Sequence, residues 1–174
     1  MPGQRAPTAA WDGTRWRVQP APGPARASHL MGVSCSSPRA CVAVGDHGTV
    51  VWNGTSWRYA AVAAPTGAQA LALNGVSCAS VGACAAVGSY FSPVGGPLTL
   101  AETWNGTAWR FWPSPNPATQ GRNQLNTVSC TAPSACTAVG VEAASDFAPP
   151  EAFAQTWTAP GGGCSRSRPQ TAPC

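Results

Sequence analysis

The 174 residues include ten arginines and no lysine, which give a formal net charge of +4, yet only 9% of the residues are charged. The arginines are scattered and no basic stripe alternates with aromatic residues, which argues against a nucleic-acid partner. The sequence contains no run of ~18 apolar residues, so no membrane span is predicted. Nineteen glycines and 18 prolines predict many turns and few long helices, whereas eight tryptophans indicate a buried core rather than disorder.

Two motifs recur in the same order along the chain and define a repeat. The first motif is Val-Ser-Cys, then five residues, then a second Cys that leads into Ala-Val-Gly. Its copies begin at Val33, Val76 and Val128. The second motif is Trp-Asn-Gly-Thr-x-Trp, with Asp for Asn in its first copy. It spans residues 11–16, 52–57 and 104–109.

In chain order, the pattern predicts a partial repeat with a Pro-rich linker over residues 1–28, repeat 1 over 29–65, repeat 2 over 66–117, repeat 3 over 118–157 and a tail over 158–174. Each full repeat is predicted to form four strands, and the third and fourth of these meet at Asn-Gly, a strong hairpin signal. Four strands in ~45–50 residues is the size of a β-propeller blade. We therefore predict an all-β chain that forms an incomplete or open β-propeller of about three four-stranded blades, since closed propellers have at least ~4 blades.

The cysteine pairs lie where two strands of each repeat meet, which predicts one hairpin disulfide per blade. The predicted pairs are Cys35 with Cys41, Cys78 with Cys84, and Cys130 with Cys136. The alternative is that the cysteines bind zinc. However, each pair belongs to a different repeat, and the only histidines are His29 and His47. We expect no metal and no cofactor. Disulfides predict a secreted or cell-surface protein, although no signal peptide opens this sequence.

The tryptophan motif predicts a hairpin whose indoles share one face. A two-residue type I′ turn at Asn105 and Gly106 would place Trp104 opposite Thr107 and Glu102 opposite Trp109. We predict that these side chains pack between adjacent blades; the alternative is an exposed aromatic platform for a sugar. The predicted packing residues are Trp11, Trp16, Trp52, Trp57, Trp104, Trp109 and Trp157.

No nucleophile–base set or phosphate loop is present, so we predict no catalytic residues. The candidate pocket residues are Asp46 and His47, which follow a strand end, and Glu102, which shares the tryptophan face. Glu102 is expected either to cap backbone amides between blades or to line a pocket, and Gln155 fills the matching position in repeat 3. Glycoside hydrolysis needs two facing carboxylates, and nothing in the sequence pairs two acids.

Both ends of the sequence interrupt a repeat. Trp11–Trp16 is a second half without a first half, and after Trp157 the expected Asn-Gly-Thr-x-Trp is missing. For one possible choice of codons, one inserted base after the Trp157 codon would restore Trp-Asn-Gly-Thr-Gly-Trp-Arg-Leu-Phe-Pro. We therefore hypothesise that residues 158–174 are an out-of-frame, disordered tail in which Cys164 and Cys174 are accidental. The nucleotide sequence of the gene tests this hypothesis.

The combined motifs resemble a repeat of secreted actinobacterial proteins that are β-propeller-like, and the hairpin loosely resembles the Asp-box of sialidase-like propellers and kelch-type blades. The resemblance covers roughly residues 11 to 157 and implies a secreted or surface propeller. The expected function is a non-catalytic extracellular repeat module for binding or scaffolding, as a fragment of a longer protein. Its expected partners are a polysaccharide or another propeller fragment. The alternatives are a piece of a carbohydrate-active, glycoside hydrolase-like propeller enzyme and a non-functional truncated product.

Overall fold

The computed structural model describes residues 7–11, 13–20, 29–46, 48–93, 95–117, 121–145, 147–157 and 165–166. These residues form strands, turns and connecting segments, and none of them is helical. Consequently, the described part of the chain contains no helix that could cross a membrane.

The strands form three four-stranded antiparallel sheets and one two-stranded sheet, each running as a meander in chain order. The two-stranded sheet contains β1 (Pro7–Trp11) and β2 (Trp16–Pro20). The first large sheet contains β3 (Leu30–Ser37), β4 (Ala40–Gly45), β5 (Gly48–Trp52) and β6 (Trp57–Ala60). The second contains β7 (Leu71–Ser80), β8 (Ala83–Phe91), β9 (Pro97–Trp104) and β10 (Trp109–Trp112). The third contains β11 (Arg122–Ala132), β12 (Ala135–Ala143), β13 (Glu151–Trp157) and β14 (Ser165–Arg166).

Each large sheet carries one disulfide, as the sequence predicts. The bonded pairs are Cys35–Cys41, Cys78–Cys84 and Cys130–Cys136, with Cα atoms 3.9, 3.9 and 4.0 Å apart. In every case the two cysteines are direct cross-strand partners of the first two strands. The disulfide therefore closes the hairpin from which each sheet begins.

The first strands of the three sheets lie side by side and are joined by side-chain to backbone hydrogen bonds. Ser34 accepts a hydrogen bond from the backbone N–H of Cys78 (3.0 Å), and Ser77 accepts one from that of Cys130 (2.9 Å). Glycine permits this close approach, because a Cβ added to Gly75 would lie 2.8 Å from the Cα atom of Thr127. Two apolar clusters fill the spaces between the sheets, one between the first and second and one between the second and third.

The tryptophan hairpin differs from the predicted two-residue turn. Trp104 pairs directly with Trp109, so the loop has four residues, and Glu102 lies opposite Phe111. The side-chain oxygen of Asn105 accepts hydrogen bonds from the backbone N–H groups of Thr107 and Ala108, at 3.0 and 2.9 Å. This side-chain turn lengthens the loop and leaves positive φ only at its glycine. The predicted register is therefore wrong, whereas the two indoles do share a face, with ring centroids 5.3 Å apart.

Most of the predicted disordered tail, residues 158–164 and 167–174, lies outside the described residues. Ser165 and Arg166 are an exception, because they pair with Thr156 and Gln155 as β14. The outer edge of β13 offers the backbone groups for this pairing, and the disorder of the tail stays a prediction.

Candidate functional site

The best-defined contact between two sheets is made by the second indole of the motif. Trp109 is 4% exposed and its Nε1–H donates a 2.8 Å hydrogen bond to Oγ1 of Thr49 in the preceding sheet. Thr49 in turn donates to the carbonyl oxygen of Ala60 at 2.9 Å. The indole packs within the cluster that contains Val42 and Val44 of the first sheet. This tryptophan thus fixes the second sheet against the first.

Trp104 is also 4% exposed, whereas the other predicted packing tryptophans are more exposed. Trp52 and Trp57 are half-buried and their ring centroids lie 5.5 Å apart. Trp11 and Trp16 are 53% and 68% exposed, with centroids 5.7 Å apart. Trp157 is half-buried and contacts the cluster between the second and third sheets. The same motif therefore forms a packed contact in the second sheet and an exposed aromatic pair in the first copy.

Glu102 is a buried carboxyl at the same side of its sheet as Trp104. It is 1% exposed, and neither carboxyl oxygen has a hydrogen-bond partner at good geometry among the described residues. Burial raises the pKa of Glu102 to about 7, and the backbone N–H of Ala63 in the preceding linker offsets only part of this rise. The side chain is therefore protonated below neutral pH and faces the linker between the first and second sheets.

Gln155 shows what this position does in the third sheet. It occupies the register of Glu102, because both residues lie two positions before the tryptophan that pairs with the second cysteine of the sheet. Its Oε1 accepts a 2.6 Å hydrogen bond from Ser114, and its Nε2 donates a 2.6 Å hydrogen bond to the carbonyl oxygen of Pro115. An amide can therefore bind the preceding linker fully at this position. For Glu102, the two predicted roles, capping of backbone amides between blades and lining of a pocket, both stay predictions.

A cavity of about 210 Å³ lies between the second and third sheets. Its wall is formed by residues of β8, β9, β10 and β12, the turn before β12, and the end of β13. These residues are Ala85, Ala86, Val87, Ala101, Glu102, Thr103, Trp112, Pro133, Ser134, Cys136 and Trp157. Because alternate residues of a strand point to opposite faces, Ala101 and Thr103 direct their side chains to the cavity, and Glu102 contributes its backbone. The indole Nε1 of Trp157 is buried with no partner among the described residues.

The cavity corresponds to the slot that Trp109 fills between the first and second sheets. Ala85, Val87 and Ala101 hold the same register positions as Val42, Val44 and Thr49, which surround Trp109. In the motif the second tryptophan follows the first by five residues, and the fifth residue after Trp157 is Gly162. The cavity is therefore the place of an indole that the third repeat lacks.

Restoring the motif should fill this cavity and stabilise the protein. Replacing residues 158–163 by Asn-Gly-Thr-Gly-Trp-Arg supplies the missing indole, and burial of one large side chain should raise the free energy of unfolding by about 2 kcal/mol. Urea unfolding measures the change. The matched control carries Ala in place of the new Trp and should show little gain, and an equal gain in both variants would refute the assignment of the cavity.

The candidate pocket residue Asp46 contacts His29, a histidine that is distant in the sequence. Its carboxylate lies 3.2 Å from Nδ1 of His29, and its backbone N–H donates to the carbonyl oxygen of His29. His47 lies outside the described residues. Asp46 is about one-third and His29 about three-quarters exposed, so this is a surface contact worth about 0–1 kcal/mol. The sequence lists both histidines but gives no signal that joins residues 29 and 46.

Sequence reasoning missed two features of this region. The cavity is lined mainly by small apolar residues, and its only sequence trace is the missing tryptophan. Ser34 and Ser77 of the Val-Ser-Cys motif join neighbouring sheets, a role that repetition alone does not reveal. Among the described residues, no group of three or more His, Cys, Asp or Glu side chains is placed to hold a metal ion.

Comparisons with known proteins bear on the fold. No protein-family model matches the chain, and no curated protein matches it. Among solved structures, it is similar to "YCF48 bound to D1 peptide", with a TM-score of 0.52 and 12% sequence identity. The match covers 97% of this chain and 62% of that chain, so the chain spans less than two thirds of the neighbour's length. That neighbour is a β-propeller. Together with the three disulfide-bonded meander sheets, the match shows that the described chain forms an open, all-β propeller arrangement of three four-stranded blades.

Proposed function

We propose that the chain is a non-catalytic extracellular propeller module that serves binding or scaffolding. The observation that carries this proposal is the disulfide in each of the three large sheets. Such bonds persist in oxidising compartments and are rare in the reducing cytosol. A set of cross-linked, hydrogen-bonded sheets supplies a stiff platform on which loops and edges can bind a partner.

The placement of the two candidate acidic residues, Glu102 and Asp46, supports a non-catalytic role. Glu102 is buried against a linker, where a polysaccharide cannot reach it, and Asp46 contacts an exposed histidine on the surface. A retaining or inverting glycosidase needs two carboxyl groups that face one substrate bond across ~5–10 Å. Glu102 and Asp46 therefore give the enzyme alternative no support. Glu142 and Glu151 are direct cross-strand partners in the third sheet, and release of reducing sugar is the measurement that tests them as a catalytic pair.

The disulfides provide the first test of this proposal. In protein exported to an oxidising compartment, the six framework cysteines should resist alkylation until a reductant is added, as measured by mass spectrometry. The double substitution Cys78→Ser with Cys84→Ser should lower the free energy of unfolding by about 2 kcal/mol, because it frees the unfolded chain from one short loop. The control, Cys164→Ser with Cys174→Ser, should leave stability unchanged. Reactive framework thiols in the exported protein would favour the alternative of a non-functional product.

A polysaccharide is the candidate ligand that one specific feature favours. Trp11 and Trp16 form an exposed pair of indoles on the β1–β2 hairpin, and sugars pack on exposed aromatic faces. Affinity electrophoresis in gels that contain soluble polysaccharides should show retardation that the double substitution Trp11→Ala with Trp16→Ala abolishes. The control is Trp112→Ala, which removes a single, less exposed indole. Unchanged migration of the unmodified protein in all gels would exclude this ligand class, and release of reducing sugar would instead support the enzyme alternative.

A further inference from the structure

The first large sheet exposes the side that the other two sheets bury. Leu73 and Leu125 hold equivalent positions in β7 and β11, and both are fully buried against the preceding sheet. Leu30 holds this position in β3 and is 38% exposed. Val33 is 64% exposed, whereas its counterpart Val76 is 9% exposed. Among the described residues, no sheet covers this side of β3.

The third large sheet exposes the opposite side. Val44 and Val87 point to the following sheet and are completely buried by it. Val139 holds the same position in β12 and is 44% exposed. The set of three sheets thus presents one half of a sheet–sheet interface at each end.

Two exposed polar side chains of the third sheet, Ser129 and Asn126, hold positions whose counterparts make hydrogen bonds to the next sheet. Ser34 and Ser77 each accept the backbone N–H of the first disulfide cysteine in the next sheet, and Ser129 holds the same position but is exposed. Asn74 donates a 2.8 Å hydrogen bond to a carbonyl oxygen of β11, and its counterpart Asn126 is exposed. The third sheet therefore offers the polar as well as the apolar part of the interface.

We propose that the exposed side of the third sheet binds the first sheet of a second copy of the chain, head to tail. In this arrangement Ser129 accepts the backbone N–H of Cys35 of the second copy, and Asn126 donates to the carbonyl oxygen of Leu30 of the second copy. Val139 packs on Leu30 and Val33 of the second copy, as Val87 packs in the cluster with Leu125 and Val128. Each contact repeats one that already joins two sheets within the chain. The inference rests on this sheet geometry and is independent of the proposed function.

A second copy is the occupant that the exposed residues fit. Its first sheet presents the register-matched leucine, valine and cysteine N–H on a side that no sheet within the described part of the chain covers. Head-to-tail contacts of this kind close into rings or continue as filaments, depending on the rotation between copies.

One residue at the proposed interface weakens it. Thr127 stands where the first two sheets have Gly32 and Gly75, and a Cβ at those glycines would lie 3.0 and 2.8 Å from the nearest backbone atom of the next sheet. The β-carbon of Thr127 must therefore hold the second copy a few tenths of an ångström away. We expect weak, concentration-dependent association that the substitution Thr127→Gly tightens by about tenfold.

The test uses the oxidised full chain and two charged substitutions at exposed positions. Sedimentation velocity should show that the unmodified protein associates as its concentration rises, whereas Val139→Asp and Val33→Asp are each monomeric. Each variant keeps one intact end, so an equimolar mixture should form a 1:1 dimer. Circular dichroism and alkylation of the framework cysteines verify that both variants are folded.

The outcomes separate the proposal from its rivals. A monomeric unmodified chain at every concentration reached would overturn the proposal, whatever the effect of Thr127→Gly, and would leave that end for a different partner. Self-association of Val33→Asp alone would overturn it as well, because it would indicate a symmetric contact between two third sheets. A mixture that stays monomeric while the unmodified chain associates would place the contact elsewhere on the surface.

Discussion

Replacing Trp109 by alanine should lower the free energy of unfolding by about 3–5 kcal/mol, the usual cost of truncating a buried tryptophan. The indole is 4% exposed, packs in the cluster between the first and second sheets, and donates a hydrogen bond to Thr49. Within the described ranges, no other indole donates a hydrogen bond between these two sheets. Urea unfolding followed by circular dichroism measures the loss without relying on tryptophan fluorescence.

The matched control is Trp16→Ala, which removes the same residue type from the same motif position. Trp16 is 68% exposed, so its replacement should change the free energy of unfolding by no more than about 0.5 kcal/mol. A loss of similar size for both variants would show that the indoles act within their own hairpins. In that case Trp109 would not be the contact that holds the second sheet against the first.

Trp109 and Trp16 hold the same motif position but differ in burial, and this difference separates what the sequence predicts from what it does not. Strands, hairpins and disulfides are local, so the Val-Ser-Cys and Trp-Asn-Gly-Thr motifs predict them directly. The predicted hairpin register is wrong because the Asn105 side chain accepts hydrogen bonds from two backbone amides and the loop has four residues. Propensity for an Asn-Gly turn cannot distinguish this arrangement from a two-residue turn.

The candidate site depends on residues that are distant in the sequence, and only part of it could be predicted. Repetition indicates that Glu102 and Gln155 are equivalent, and burial on the tryptophan face follows from strand alternation. The contact of Asp46 with His29 and the cavity beside Trp157 depend instead on how neighbouring strands and sheets meet. No pattern within one repeat encodes those distances.

The exposed sides of the first and third sheets cannot be recognised from a single repeat. They are recognised by comparing the exposure of equivalent residues across the three sheets. A valine in Ala-Val-Gly is expected to be buried wherever it occurs, and Val44 and Val87 are. Val139 departs from this expectation because the sheet that should cover it is not among the described residues. Exposure at a position whose counterparts are buried is the physical sign of an unfilled interface.

The second large effect concerns the pH dependence of stability, which Glu102 should dominate. Its folded-state pKa is raised to about 7 by burial, above the usual value of 4.5. The unfolded chain therefore releases this proton at a lower pH than the folded chain does. The protonated side chain fits its site, so the contribution is fully present below pH 4.5 and is lost as the pH rises towards 7. The shift corresponds to about 3 kcal/mol between these limits.

Glu102→Gln should remove this dependence and stabilise the protein at neutral and alkaline pH. The amide carries no charge, and the equivalent Gln155 shows that an amide at this position can bind Ser114 and Pro115 of its own linker. Urea unfolding between pH 4 and pH 8 should give a difference near zero at the acid end that grows to about 3 kcal/mol above pH 7. Glu151→Gln is the control for the loss of one carboxyl group, because this side chain is exposed. A Glu102→Gln variant that is less stable than the unmodified protein at pH 8 would contradict burial of the ionised carboxylate as the main effect at this position.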